Sequence, residues 1–393
     1  MVIFFLTSGL APGKDGVGDY TRMLASECVR HQHTCYLMAL NDFFVSEPVE
    51  TTETINGVSI LTLRLPASMP WEERVNRAVE FRKNRAVDWT SLQFVSYGYT
   101  RKGIVRRLAR YFEPIVKGSH LHMMFHETWI GSGVAPSLKA RIIGRIQRHY
   151  IRELFQQLAP RLVTTSNGYY ASQLHHLGIT AVETPLFSNV PIRSIEQGPD
   201  IPEKLIEAGL CDRKGTHPNY WMGLFFGTLY PEWQEQPFMQ ILSSALAKTD
   251  RRACLVSAGR LGVHGKGRWQ ELTAKYGEAI DFMALGDCTE SQISTLMQVA
   301  DFGLAATPWR LIGKSSTVAT MLDHGLPVIV TNHAFQPDLP SSYPVSPLLH
   351  RCDETLEAKL WAGLPRNAMR NRAAETAERL TGLMDKLSDP RPA

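Results

Sequence analysis

Across 393 residues there is no Cys-x-x-Cys pair, no run approaching the ~18 apolar residues of a membrane span, and no strong excess of either charge. The six cysteines (Cys28, Cys35, Cys211, Cys254, Cys288, Cys352) are far apart, which excludes a disulfide scaffold or a zinc knuckle and reads as buried thiols in a reducing compartment. Lys and Arg number 42 against 38 Asp and Glu, a net charge of +4, so nucleic acid is not an expected partner. The opening Met1-Val-Ile-Phe-Phe-Leu6 lacks a basic flank and runs into a glycine-rich loop too soon for a signal h-region. The expected location is cytoplasmic. What is present, 44% apolar and 20% charged residues, matches soluble globular protein, and the length suits two domains.

Short β-branched and aromatic runs alternate with helical patterns. Strands are expected at Val2–Thr7, Thr34–Ala39, Val58–Leu63, Leu92–Val95, Leu121–Phe125, Arg161–Thr165 and Val182–Pro185, with helices at Tyr20–His31, Ile104–Val116 and Gly168–Leu177 between them. From Ser188 to Asn219 proline, glycine and charge replace this rhythm, and it resumes with strands at Met222–Phe226, Ala253–Ala258, Ile280–Ala284, Phe302–Ala305 and Pro327–Val330. The expected class is α/β, two doubly wound Rossmann-like domains: residues 1–190, a linker at 191–219, a second domain at 220–364 and a C-terminal helix within 365–393.

Two loops carry chemistry. The first, Gly9-Leu-Ala-Pro-Gly13-Lys-Asp-Gly16-Val-Gly18-Asp19-Tyr20, lies between a strand and a helix, where backbone N–H groups and the helix N-terminus favour an anion. It fails the dinucleotide fingerprint, because Thr21 stands three residues after Gly18. The second, Gly313-Lys314-Ser315-Ser316, opens the helix Thr317–His324, which ends on Gly325-Leu-Pro. It is no Walker A loop, since Pro308 occupies the position of the first glycine. A helix N-terminus with a lysine and two hydroxyls is nevertheless a cradle for a diphosphate, and the alternative is that a serine merely caps the helix.

The order Gly16-Val-Gly18-Asp-Tyr-Thr-Arg, Phe125-His126-Glu127, Thr165-Ser166-Asn167, Phe225-Phe226-Gly227 and Asp301 to Gly325-Leu-Pro-Val resembles retaining glycosyltransferases of the GT-B fold, family 4 type. The resemblance implies two Rossmann-like domains facing each other across a cleft and a nucleotide-sugar as co-substrate, with no further cofactor. It places His126 by the sugar ring, with Glu127 beside it as a catalytic carboxylate if the chemistry needs one. Donor contacts fall on Gly16, Gly18, Gly227, Gly286, Gly313, Lys314, Ser315 and Ser316. Arg260 stands in for the arginine missing after Gly227, as His264 and Lys266 also could, or this stretch is a solvated loop. The acceptor, a glycan, lipid or small molecule, would meet Asp19, Gln93 and Tyr97. Counting back from Gly325, the two glutamates of the family's E-x7-E motif fall on Ile312 and Thr320. The absence of any Asp-x-Asp disfavours the metal-dependent GT-A alternative, and no metal site is expected. A sugar-nucleotide epimerase, a cyclitol-coupling enzyme or a non-catalytic binder on the same fold remain the alternatives.

Local charge gathers in two helices. One, over 138–158, carries Arg141, Arg145, Arg148 and Arg152 beside Leu138, Ile142, Ile146, Tyr150 and Leu154; the other holds Arg106, Arg107 and Arg110. Such helices are either solvated or rest on anionic lipid, which gives an expectation of peripheral membrane contact.

Overall fold

The computed structural model describes the chain except for residues 133–135, 197, 230–232, 333–345 and 389–393, with Arg310 described by its backbone alone. It divides into two compact units, Met1–Asn189 joined by the chain from Arg372 onward, and Val190–Asn371.

The first unit opens with β1 (Val2–Thr7), α1 (Gly16–Arg30), β2 (Thr34–Asp42), β3 (Val49–Ile55), β4 (Val58–Pro66) and α2 (Trp71–Arg82). It continues with β5 (Trp89–Phe94), α3 (Leu108–Val116), β6 (His120–Phe125), α4 (Leu138–Leu158), β7 (Leu162–Thr165), α5 (Gly168–His175) and β8 (Val182–Glu183). The sheet order is β3-β4-β2-β1-β5-β6-β7-β8, parallel except where β3 pairs antiparallel with β4. The central strands are apolar on both faces, as helices covering both sides of a parallel sheet require: Ile3, Phe4, Phe5 and Leu6 are all fully buried. The β3–β4 hairpin turns on Asn56-Gly57, both at positive φ (48° and 82°), the residue pair that a tight two-residue hairpin favours. The chain runs from β1 outward to β2 and β4, then returns to the other side of β1 at β5. The order therefore reverses between β1 and β5, and in such sheets ligands bind in the crevice at that switch point, beyond the C-terminal strand ends.

The second unit holds α6 (Glu203–Glu207), β9 (Tyr220–Phe226), α7 (Phe238–Leu246), β10 (Arg252–Ala258), α8 (Gly262–Tyr276), β11 (Ile280–Gly286), α9 (Glu290–Val299), β12 (Phe302–Ala305), α10 (Ser316–Asp323), β13 (Val328–Val330), β14 (Leu349–Arg351) and α11 (Leu356–Ala362). Its strands are all parallel in the order β11-β10-β9-β12-β13-β14, a Rossmann order with the switch point between β9 and β12. Two apolar clusters cover its faces, one around Met222, Leu224, Val256 and Val328, the other around Phe225, Leu255, Phe302 and Ile329.

Two segments differ from the sequence reading. Residues 191–219, expected as a linker, open the second unit: α6 and its flanks place Ile201, Leu205 and Leu210 in the first of those clusters. The C-terminal helix α12 (Arg372–Leu387) returns to the first unit and lies along α1. Its apolar stripe Ala373, Ala377, Leu380 and Met384 is buried, and Trp89 Nε1 donates to Ser388 Oγ at 3.0 Å.

Candidate functional site

In the first unit the loops after β1, β2 and β5 are laced together at the switch point. Asp42, fully buried, accepts from Leu10 N at 3.1 Å and from Arg64 Nε at 2.8 Å. Asn41 Nδ2 donates to Gly98 O at 2.7 Å, and buried Arg74 donates through Nη1 to Asn41 Oδ1 at 2.6 Å. The Thr7, Ser8 and Ser96 hydroxyls, all buried at these strand ends, reach no partner among the described residues.

The glycine loop has a structural logic of its own. Asp15 caps α1 by accepting from Val17 N at 3.0 Å, and Asp19 Oδ1 accepts from Gly13 N at 3.0 Å. A Cβ on Gly18 would lie 2.6 Å from Gly9 O, so glycine is needed there for the helix to seat against its own loop; at Gly16 nothing lies within 4 Å. In the helix N-terminus read as favouring an anion, the first-turn amide of Val17 is thus already held by a carboxylate. Burial raises the pKa of Asp15 above the usual carboxylate value, against hydrogen bonds from Val17 and Gly18 that lower it. Sequence reasoning missed Asp15; its signal was an Asp directly before a helix-opening glycine.

His126 follows β6 and is 8% exposed. Its ring meets Tyr20 edge-on at 4.9 Å, and Tyr20 stacks on Phe187 at 4.4 Å. Nε2 contacts Gln93 Oε1 at 2.9 Å. Burial pushes the His126 pKa down to about 3, so the ring is neutral at ordinary pH. Gln93, expected on an acceptor wall, is fully buried, with its amide bonded to His126 and Ser91; it supports His126 from below. Tyr97 is exposed, and its hydroxyl accepts from Gln147 Nε2 at 3.0 Å. Glu127 is half-buried near Tyr170, whose hydroxyl is pushed up first by burial and then by the Glu127 charge.

In the second unit the candidate donor residues divide into two groups. Gly227 (φ +88°) follows β9, donates to Ala258 O at 2.9 Å, and would place a Cβ 3.2 Å from Thr317 Cγ2 in the first turn of α10. That contact joins the ends of β9 and α10 at the switch point. Gly313 and Lys314 close the 3₁₀ turn Trp309–Lys314; Ser315 caps α10, accepting from Val318 N, and Ser316 is the first helical residue. Gly286 ends β11, where its carbonyl accepts from Gly259 N at 2.8 Å. Arg260, next along, is exposed and ion-paired with Asp287 at 3.1 Å. His264 and Lys266 are exposed on the first turns of α8 instead of in a loop.

On α4 the apolar stripe is not covered as a core stripe would be. Leu138, Ile142 and Ile146 are 71%, 54% and 37% exposed, while Gly144, Gln147, Ile151 and Leu154 face the unit. Arg141, Arg145, Arg148 and Arg152 are exposed beside them.

No protein-family model matches the chain, and no curated protein matches it in sequence. Solved structures match over nearly its whole length. An α,α-trehalose-phosphate synthase (UDP-forming) from Burkholderia xenovorans, in complex with glucose-6-phosphate, is 10% identical with a TM-score of 0.58, covering 98% of this chain and 96% of that one. The catalytic domain of starch synthase IV from Arabidopsis thaliana, bound to ADP and acarbose, is 11% identical with a TM-score of 0.55, covering 99% and 95%. Anabaena HepE in complex with UDP is 15% identical with a TM-score of 0.51, covering 99% and 96%. These likenesses establish the fold: the chain has the two-domain, Rossmann-like architecture of the GT-B glycosyltransferases.

Proposed function

We propose that the chain is a glycosyltransferase that moves a sugar from a nucleotide-sugar to an acceptor, with the donor diphosphate at the N-terminus of α10. The observation that carries this reading is that a Cβ on Gly227, at the end of β9, would lie 3.2 Å from Thr317 Cγ2, which brings the first turn of α10 to the β9/β12 switch point. A diphosphate there meets the Ser316 and Thr317 N–H groups, the helix dipole, the Lys314 ammonium and the Ser316 hydroxyl, the Val318 N–H being held by the Ser315 cap. Several structures of this fold are bound to UDP or ADP.

The chemistry these groups supply is neutralisation of the leaving diphosphate, where preorganised donors act most strongly. As the acceptor oxygen bonds the anomeric carbon, the bond to the phosphate oxygen breaks and that oxygen takes the acceptor's proton. Such front-face transfer retains configuration, requires no protein nucleophile and assigns the charge stabilisation to protein groups without a metal. His126 lies at the strand-end crevice of the first unit, where Tyr97 and Asp19 form the acceptor side. The exposed Leu138-Ile142-Ile146 stripe, flanked by arginines, favours an acceptor reached at an anionic membrane surface, with α4 lying on it.

A panel of UDP-, GDP-, ADP- and dTDP-sugars, followed by release of free nucleotide, tests the activity. Release from one donor, lost in Lys314→Ala, supports the reading. Tight binding without release would make the chain a nucleotide-sugar binder, and no binding at all would overturn the diphosphate site.

A further inference from the structure

Beneath His126 a chain of hydrogen bonds crosses three strands. The parallel register sets Ser91 opposite His122, Gln93 opposite Met124, and Met124 opposite Thr164, so the two-residue period puts Ser91, Gln93, His122, Met124 and Thr164 on one face of the sheet, below His126. The contacts run from His126 Nε2 to Gln93 Oε1 at 2.9 Å, from Gln93 Nε2 to Ser91 Oγ at 2.8 Å, and from Ser91 Oγ to His122 Nδ1 at 2.8 Å. His122 Nε2 then meets Thr164 Oγ1 at 2.8 Å, and Thr164 Oγ1 meets Met124 Sδ at 2.9 Å. Apart from His126 at 8%, the polar members are at most 1% exposed.

Each hydroxyl has one proton, and each neutral imidazole has one N–H and one bare nitrogen. The chain therefore has two satisfied polarities, and reversing one member reverses them all. The far end distinguishes them. An oxygen and a sulfur at 2.9 Å repel unless a proton lies between them, so the Thr164 O–H points at Met124 Sδ. His122 must then donate from Nε2 and accept at Nδ1, Ser91 donates to it, the Gln93 amide donates to Ser91, and Gln93 Oε1 accepts from His126 Nε2–H. His126 Nδ1, which meets no hydrogen-bond partner among the described residues, is left with a lone pair.

We propose that Gln93, Ser91, His122 and Thr164 are positioning residues that lock His126 in its Nε2–H tautomer, so that Nδ1 is presented at the strand-end crevice as an acceptor for a ligand hydroxyl. A sugar hydroxyl can donate to it; a carboxylate or phosphate oxygen cannot. That the ligand is a sugar rests on the function proposed above, whereas the lock is a property of the ligand-free protein and is tested without any donor.

The test is long-range ¹H–¹⁵N correlation on the full chain labelled with ¹⁵N-histidine, with His122→Gln and His126→Gln to assign the two rings. The expected result is a single neutral Nε2–H form for both rings from pH 8 to pH 5. Thr164→Val keeps the side-chain shape but removes the terminal proton, and His126 should then populate the Nδ1–H form; Thr164→Ser should restore the wild-type spectrum. Thermal unfolding and far-UV circular dichroism confirm that each variant is folded. A His126 found chiefly as Nδ1–H in the wild type, or unchanged in a folded Thr164→Val protein, would overturn the lock. Failure of the donor panel alongside an intact lock would overturn the sugar reading alone.

Discussion

The two buried histidines make stability fall steeply with acid, by an amount that follows from ordinary imidazole chemistry. Burial holds both His122 and His126 down to about 3 in the folded chain, the nearness of His126 adding to the effect on His122. In the unfolded chain each titrates near 6.5. Between pH 6.5 and pH 3 the unfolded state therefore binds a proton at each ring that the folded state refuses, so stability declines as pH falls through this window and levels off below it. At pH 5 an unfolded imidazole is about 97% protonated, which favours unfolding by about 2 kcal/mol per ring relative to pH 7.5. This figure depends little on how far below 5 the folded value lies. Asp15 acts with the opposite sign, because its raised pKa lets the folded state take up a proton first. Its contribution, and those of the other histidines, cancel when the wild type is compared with His122→Gln or His126→Gln. Urea unfolding at pH 7.5 and pH 5.0, read by tryptophan fluorescence, should show the stability advantage of the wild type over each variant shrinking by about 2 kcal/mol at the lower pH. The double variant should show up to about 4 kcal/mol, the two rings being neighbours whose effects need not add. An advantage that stays constant between the two pH values would mean that the folded rings accept protons, and would refute burial as the force that keeps them neutral.

Lys314→Ala should weaken nucleotide-diphosphate binding about ten- to a hundredfold by calorimetry, the size of one charge-assisted hydrogen bond, while leaving the melting temperature nearly unchanged. Gly18→Ala should cost about 1–3 kcal/mol of stability, because the backbone oxygen of Gly9 stands 2.6 Å from the new Cβ and must move. Gly16→Ala, with open space around it, should be neutral or mildly stabilising; equal losses at both positions would mean that the clash at Gly18 is not what selects glycine. Ile142→Asp should abolish cosedimentation with phosphatidylglycerol vesicles and leave binding to neutral vesicles at background, and wild-type protein that ignores both vesicle types would remove the membrane surface from the proposal.

Much of the architecture was written locally. The runs Val2–Thr7, Met222–Phe226 and Ala253–Ala258 are apolar on both strand faces, a pattern that a parallel sheet covered on both sides requires and a half-exposed strand does not tolerate. The β3 strand was not legible in the same way, because Val-Glu-Thr-Thr-Glu-Thr-Ile lies at an exposed edge and carries no core face to speak of. Its one clear mark was the Asn56-Gly57 turn. The assignment of α12 to the first unit was out of reach for a different reason: the helix shows a buried stripe, but Trp89 and Ser388 are 299 residues apart, and nothing in either segment names the other.

The site divides along the same line. His126 and Lys314 could be singled out as candidates because one follows the end of a strand and the other closes the turn before a helix, where sequence punctuation marks the place. Ser91, His122 and Thr164 could not, since each sits in the middle of a buried strand and becomes partner to the others only once strand order and register are known. Their own segments read as core with a tolerated polar residue. The positions where the family resemblance puts glutamates show the converse: Ile312 is buried among apolar neighbours, and Thr320, fully buried, turns its hydroxyl back to Ser316 O at 2.9 Å. A carboxylate at either place would have to be desolvated within the unit. The fold is indifferent to that exchange, because strand order and helix packing need only apolar or locally satisfied groups there. Recognition is not indifferent, since the diphosphate cradle proposed above, N–H groups and Lys314, would grip charge and say nothing about a sugar. On the proposed function, selection among sugars must then come from groups that read hydroxyls, and the proposed lock would make His126 such a group, its acceptor nitrogen fixed by the buried relay beneath it.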